Sequence, residues 1–197
     1  MRNKLTLIGT LILSLVIPAS AAERTLTLDP AASRVDFRLG ATGHDVEGSF
    51  RVEGGSLTFD DATGAMSGEI RVDAKSARTG NGSRDKTMHG DVLESVRFPL
   101  FTFKAQKLEG HVADAGTSQV KLHGVLSIHG AEHAFVMPAS VDVKDSKVSA
   151  TSTFAIPFIE WGMHDPSLLF LRVKKSVAVT VTANGTLSNA TQQSGSR

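Results

Sequence analysis

The sequence has 197 residues, a formal net charge of +1 and no cysteine. The length fits one large domain or two small ones, and the absence of cysteine excludes disulfides, thiolate metal sites and cysteine catalysis. The near-zero charge gives no indication of nucleic-acid binding. Ten phenylalanines accompany one Trp and no Tyr, so the aromatic rings are mostly ones that need no buried hydrogen-bond partner.

The N-terminal segment predicts a secretory signal peptide. Arg2 and Lys4 precede an apolar run at residues 5–17, and Ala19-Ser20-Ala21 provides the small residues that a signal peptidase recognises. The run is shorter than the ~20 residues needed to span a bilayer, which disfavours a transmembrane anchor. We therefore expect cleavage near Ala21 and a periplasmic or secreted protein. Loss of the two basic residues changes the formal net charge from +1 to −1.

Alternation of apolar and polar residues dominates the mature chain and predicts about eight β-strands. Val35, Phe37 and Leu39 begin the pattern on one strand face. The same two-residue period continues through Val46, Phe50, Val52, Leu57, Phe59, Ile70, Val72, Phe101, Phe103, Val120, Leu122, Leu126, Ile128, Phe135, Met137, Val141, Val143, Val148, Phe154, Ile156, Val177, Val179 and Val181. Gly54-Gly55 predicts a hairpin-type connection before Leu57.

Two segments interrupt the alternation. Residues 83–96 place apolar side chains at helical spacing, which predicts a short helix or helical loop with Ser83 as a candidate N-cap and Phe98-Pro99 after its end. Residues 157–170 form an irregular stretch that carries Trp161 and ends in Leu168-Leu169-Phe170.

Strands with one apolar face are compatible with two architectures. A sandwich packs two sheets face to face, whereas a closed barrel turns the apolar face inward and leaves no exposed edge. Alternation alone does not distinguish them. Glycines within strands, such as Gly48, Gly68 and Gly124, often mark barrel bends or close approaches, so a barrel is favoured. Eight strands can enclose an interior that holds one small ligand.

Four motifs follow one another along the mature chain. The first is Ser33-x-Val35-x-Phe37 followed by Val46-x-Gly48-x-Phe50. The second runs from Thr79-Gly80-Asn81 and Arg84-Asp85 through Met88-His89 and Val92-Leu93 to Phe98-Pro99-x-Phe101-x-Phe103. The third is Gly124-x-Leu126-Ser127-Ile128-His129-Gly130 before Phe135, and the fourth, weaker one is Trp161-Gly162-Met163. Together they resemble the YceI family of polyisoprenoid-binding periplasmic proteins over roughly residues 24–187.

The resemblance implies an all-β fold, an extended antiparallel eight-stranded lipocalin-like barrel whose lumen holds a long isoprenoid chain. We expect a signal peptide at residues 1–21, the barrel at 22–187 and a polar tail at 188–197. The expected ligand is a polyprenyl or prenylquinone lipid, and no cofactor is expected besides this lipid or quinone. Transient membrane contact and a homodimer are further expectations.

Alternation then selects the residues that would contact the lipid. The inward-facing set comprises Phe37, Leu39, Val46, Phe50, Ile70, Val72, Phe101, Phe103, Leu126, Ile128, Phe135 and Phe154. A second set would form a flexible mouth and comprises Phe158, Trp161, Met163, Leu168, Leu169 and Phe170. The alternatives are that the first set packs as an ordinary core and that the second is a loop packed over the barrel end.

Arg84 and Asp85 allow two interpretations. They could contact a lipid headgroup at the barrel rim, or they could pin their loop to the sheet through a salt bridge and a helix cap. The second interpretation is favoured, and it predicts that Arg84→Ala reduces stability before it reduces binding.

The seven histidines do not form a recognisable metal or catalytic motif. There is no H-E-x-x-H and no G-x-S-x-G, and no glycine-rich phosphate loop is present. His123 and His129 share the strand face opposite Leu122 and Ile128, so both are expected to point towards solvent. We therefore predict no metal site and no enzyme activity.

Two other functions stay open. One is an enzyme or redox accessory that acts on the lipid through His44, His89 or His164 at the barrel mouth. The other is an interaction module with a filled barrel, which would purify without lipid.

Overall fold

The computed structural model describes residues 23–167 and 172–189. Over these ranges the chain forms nine strands: β1 Glu23–Leu28, β2 Arg34–Leu39, β3 Val46–Asp60, β4 Met66–Arg78, β5 Leu100–Glu109, β6 Gly116–Ile128, β7 Ala131–Lys144, β8 Lys147–Ile156 and β9 Val177–Asn189. One helix, α1 (Gly82–Thr87), continues into a π-helical turn, Met88–Val92. The predicted signal peptide, the cluster Leu168-Leu169-Phe170 and residues 190–197 of the predicted tail lie outside the described residues. No helix within the described ranges is long and apolar enough to cross a membrane.

The strands close into an antiparallel barrel with eight strand positions. From β3 to β9 each strand pairs with the next one along the chain. The two short strands β1 and β2 share the remaining position, since β1 pairs with one half of β3 and β9 and β2 pairs with the other half. This confirms the predicted all-β, eight-stranded barrel with a short helix.

The Gly54-Gly55 pair does not form the predicted hairpin. It lies inside the continuous strand β3, at a register shift against β4. Both glycines have positive φ values, 137° and 150°, and a Cβ on Gly55 would collide with the backbone of Glu69. The pair therefore allows β3 to bend while both of its halves remain paired with β4.

Two other glycines provide room for aromatic rings. Gly48 faces Phe37 across β2 and β3, and a Cβ there would overlap the Phe37 ring. Gly124 similarly lies beneath Phe103, and its Cβ would also collide with the Lys104 carbonyl oxygen. The prediction that strand glycines mark close approaches is confirmed at both positions.

The N-cap of the helical segment lies two residues earlier than predicted. The Asn81 side chain accepts a hydrogen bond from the Arg84 amide at 3.0 Å, so Asn81 caps α1 and Ser83 lies within the helix. Helical structure ends at Val92. Val96, predicted to share the apolar face, is 88% exposed in the loop that follows.

The two ends of the barrel differ in how they are filled. One end carries the turns at residues 61–65, 110–115 and 145–146, and we call it the closed end. It is filled by large buried side chains, among them Leu57, Phe59 and Leu108. The opposite end carries the longer segments 40–45, 79–99 and 157–167, and we call it the open end.

Candidate functional site

A cavity of about 630 Å³ occupies the half of the barrel next to the open end. Inward-facing side chains from all nine strands contribute to its wall, and nearly all of them are aliphatic or phenyl groups. Along one side the Phe50 ring contacts both Phe37 and Phe101, with ring centroids 5.3 Å and 5.5 Å apart respectively. The alternation that closes the barrel also lines this cavity with hydrocarbon.

Most residues predicted to contact a ligand do line the cavity. These are Phe37, Leu39, Val46, Phe50, Ile70, Val72, Phe101, Phe103, Leu126, Ile128, Phe154, Phe158 and Met163. Phe135 and Trp161 are not among the lining residues. Leu168, Leu169 and Phe170 lie outside the described residues.

Phe135 and Trp161 belong to an aromatic stack beside the cavity. The Trp161 ring lies parallel to the His133 imidazole at a centroid distance of 3.8 Å, and Phe135 meets Phe154 edge to face at 4.9 Å. This stack lies where β7 and β8 separate, since they pair only over residues 140–144 and 147–151. Phe154 therefore faces the cavity while Phe135 and Trp161 support it from behind.

The predicted set omitted several apolar residues of the wall. Val177 and Val179 follow the period-two pattern of β9, and Val35 and Val52 follow those of β2 and β3. The same alternation would have found these four residues. The helical segment contributes a further part of the wall through Met88, Val92 and Leu93.

The polar lining residues are concentrated at the open end. They lie in the segment after β2 and in the segment from the end of β4 to α1, and comprise Thr42, His44, Thr79, Asn81, Ser83, Arg84 and Thr87. We call this group the polar rim. The cavity therefore presents hydrocarbon along its depth and hydrogen-bonding groups at its entrance.

One side of the polar rim is fixed by hydrogen bonds to Thr79. The Arg84 Nε donates to the Thr79 hydroxyl at 2.8 Å, and its Nη2 donates to the Thr79 carbonyl at 3.1 Å. The Asp85 carboxylate accepts from the Thr79 amide at 2.8 Å and from its hydroxyl. Arg84 and Asp85 thus both bond to Thr79 and do not form the predicted salt bridge with each other. Their loop-pinning role agrees with the favoured interpretation.

The same contacts set the charge state of Asp85. The Thr79 hydroxyl, and then its amide, donate to the ionised carboxylate and lower the pKa of Asp85 below its ordinary value. The carboxylate therefore keeps its negative charge and its hydrogen bonds to Thr79 at neutral pH.

The three histidines predicted for the mouth occupy different environments. His44 is exposed and belongs to the polar rim. His89 is bonded into the fold, with Nε2 3.0 Å from the Ala77 carbonyl and Nδ1 2.9 Å from the Ser95 hydroxyl. His164 is exposed and is not a lining residue. The structure does not bring the three together.

The prediction that both His123 and His129 face solvent is wrong for His129. Its side chain is 12% exposed and its ring packs on Phe98 at a centroid distance of 4.6 Å. The residue occupies the turn before Gly130 with a φ of 52°, and this conformation folds the ring under Phe98. His123 does lie on the outer face, where its Nε2 is 2.9 Å from Glu109. In the described part of the chain, no three His, Asp or Glu side chains are grouped closely enough to hold a metal ion.

A family model described as the YceI-like domain matches residues 26–185 of the chain. This match covers most of the sequence and nearly the whole barrel. The chain belongs to the YceI family. No curated protein matches it.

Two solved structures share the fold of this YceI-family chain. BcnA from Burkholderia cenocepacia is 18% identical, with a TM-score of 0.67, and the match covers 81% of this chain and 99% of that one. A polyisoprenoid-binding domain from Saccharophagus degradans is 16% identical, with a TM-score of 0.63 and coverage of 82% and 98%.

Several motif residues that resemble the YceI family have structural tasks here. Thr79 and Asp85 fasten the helical segment, and Gly124 accommodates Phe103. Gly130 similarly accommodates the Phe98 ring. The motifs therefore supply frame residues such as Thr79 and Asp85 as well as cavity-lining residues such as Phe50 and Phe101.

Proposed function

We propose that this YceI-family protein binds a long-chain isoprenoid lipid of the polyprenyl or prenylquinone type and carries it in the periplasm or outside the cell. The observation that supports this most strongly is the cavity of about 630 Å³, apolar along its depth and polar at its entrance. A lipid tail would lie inside the barrel, and its polar end would lie at the polar rim.

The cavity is large enough to hold several isoprene units. At the packing density of a protein interior, one carbon-sized group takes about 25 Å³ and a five-carbon isoprene unit about 125 Å³. A cavity of 630 Å³ then holds roughly five units. Each unit buried would contribute about 3–4 kcal/mol before ordering costs are subtracted. Micromolar affinity needs about −8 kcal/mol, which a few buried units provide without a hydrogen bond.

The chemistry of the wall also favours a hydrocarbon guest. The apolar wall offers water few hydrogen-bond partners, so a hydrocarbon guest displaces water without breaking hydrogen bonds to the wall. The solved domain from Saccharophagus degradans that shares this fold is described as polyisoprenoid-binding. We extend that ligand class to the present chain because its cavity has matching chemistry.

We propose a binding protein rather than an enzyme. Of the three histidines expected at the mouth, only His44 reaches the cavity entrance, and His89 is held by Ala77 and Ser95. A lipid carrier needs no catalytic group, since removal from water drives binding. Transient contact of the open end with a membrane would allow the lipid to enter, and a homodimer stays a prediction.

Organic extraction of the purified protein tests this proposal. Protein prepared from its host without detergent should release an isoprenoid lipid, identified by mass spectrometry, at up to one molecule per chain. Protein stripped of lipid should take up geranylgeraniol. A lipid-free preparation that also fails to take up geranylgeraniol would contradict the proposal. Loss of a lipid-modifying activity in His44→Ala, with lipid still bound, would instead support the enzyme alternative.

A further inference from the structure

The barrel contains a second, smaller cavity beyond the first one. It has a volume of about 70 Å³ and lies towards the closed end, with an almost wholly apolar lining. Buried side chains of the closed end, including Leu57, Phe59, Leu108 and Val112, form its outer wall. The two cavities are therefore stacked along the barrel axis.

Five residues line both cavities and separate them: Leu28, Ile70, Met137, Val181 and Ala183. We call these five residues the floor. The order of the lining residues along each strand shows where the floor lies. Along β9, Val179 lines only the large cavity, Val181 and Ala183 line both, and Leu187 lines only the small one.

The other strands give the same order. Along β4, Val72 lines only the large cavity, Ile70 lines both and Met66 lines only the small one. Along β7, Met137 lines both, and Ala139 lines only the small cavity. The floor is thus formed by residues of four strands, β1, β4, β7 and β9, that lie between the two cavities.

From this arrangement, and on the basis of the proposed function, we infer that the floor sets the length of isoprenoid chain that the protein holds, with Met137 as its principal specificity residue. The lipid tail enters first because the deep part of the cavity is apolar and the polar groups lie at the rim. The tail fills the large cavity and stops at the floor. Units beyond roughly the fifth remain outside the open end and add little affinity.

Met137 is the floor residue whose removal would connect the cavities. It is 9% exposed and contributes an unbranched, flexible side chain, the kind that fills irregular gaps in cores. Met137→Ala removes three heavy atoms, which frees about 75 Å³ at interior packing density. Together with the 70 Å³ beyond the floor, the space gained accommodates about one further isoprene unit.

Two variants separate this gain from a general loss of packing. Met66→Ala removes the same three atoms from a residue that lines only the small cavity, so the floor remains closed. Ala139→Leu adds three carbons to the small cavity, so the double variant Met137→Ala/Ala139→Leu should refill the space that Met137→Ala opens. Met137→Val provides a milder opening if Met137→Ala does not fold.

The test offers each protein an equimolar dispersion of all-trans prenyl alcohols with three to eight isoprene units. The bound alcohols are quantified by mass spectrometry, and the amount bound by a variant is divided by that of the wild type at each length, which cancels differences in dispersal. For Met137→Ala this ratio should be the same for all alcohols of up to about five units. It should then rise about tenfold for the alcohol with one more unit. Met66→Ala and the double variant should keep a level ratio.

Failure of the inference and failure of the proposed function give different results. A wild type that binds these alcohols, with a level ratio for Met137→Ala and Met137→Val, would overturn the floor's role alone. A rise in Met66→Ala equal to that in Met137→Ala would also overturn it. A wild type that binds no alcohol of any length would overturn both the inference and the proposed function.

Discussion

Filling the large cavity with protein atoms should separate ligand binding from stability. Val179 is suited to this because it is the third residue of β9, is partly buried and lines only the large cavity. Its neighbours across the sheet are Phe37 on β2 and Phe154 on β8. Val179→Phe adds four heavy atoms at this position, and Val179→Trp adds seven.

The expected size of the effect follows from volume. At about 25 Å³ for each added atom, the Phe variant loses about 100 Å³ of space and the Trp variant about 175 Å³. These are losses of roughly one isoprene unit from a cavity of 630 Å³. After ordering costs, affinity for a lipid that fills the cavity should fall about tenfold in Val179→Phe and more in Val179→Trp. Burial of the new ring should leave the free energy of unfolding unchanged or raise it by about 1 kcal/mol.

Competition with a fluorescent lipid measures the affinity, and denaturant unfolding of the lipid-free protein measures the stability. Ala178→Phe is the matched control, since Ala178 is exposed on the outer face of the same strand. Unchanged lipid affinity in a folded Val179→Trp protein would refute the cavity as the binding site. An equal loss of affinity in Ala178→Phe would refute the explanation by volume.

Three further predictions concern the frame around the cavity. Asp85→Asn should cost about 1–2 kcal/mol at neutral pH. Because the folded pKa of Asp85 is lowered, its stabilising effect is full above about pH 4 and is lost as the pH falls through that lowered value. Thermal melts should therefore show a shallower acid loss in the variant, and parallel curves would contradict this. Arg84→Ala should lower the melting temperature, because two hydrogen bonds to Thr79 are lost, while lipid uptake stays within about threefold of the wild type. An unchanged melting temperature with lost uptake would show instead that Arg84 contacts the lipid headgroup. Gly124→Ala should lower the free energy of unfolding by about 3 kcal/mol in denaturant titrations, since its methyl group would collide with the neighbouring strand. Gly90→Ala is the control, because open space surrounds Gly90 and no such loss is expected. Equal losses in the two variants would contradict this.

The barrel itself could be predicted because side chains in a closed sheet point alternately inward and outward. Apolar and polar residues in the sequence alternate with the same two-residue period. β6 shows this clearly, with Val120, Leu122 and Leu126 buried at alternate positions. Strand β1 (Glu23–Leu28) was missed because its inward series begins with Arg24. Arg24 can be buried because partners distant in sequence bind its guanidinium: Asp61 forms an ion pair with it at 2.7 Å, and the Val112 carbonyl accepts a hydrogen bond from it.

Other features depend on which strands become neighbours. Gly54-Gly55 is compatible with a hairpin or with a bend inside one strand, and the pairing of both halves of β3 with β4 decides between them. Inward parity predicts Phe135 in the lumen, but its ring packs against Phe154 and Trp161 and does not line the cavity. The division of the lumen at Met137 likewise depends on side chains from several strands. It could not be predicted from the sequence of any one strand.

Calorimetric titration of the lipid-free protein with geranylgeraniol at several temperatures tests most directly whether the cavity binds an isoprenoid chain. Transfer of several hundred Å² of hydrocarbon out of water should give one saturable site with a heat-capacity change of roughly −0.2 to −0.4 kcal/mol/K. No saturable binding, or a saturable site whose heat-capacity change is near zero, would contradict an apolar guest inside the barrel.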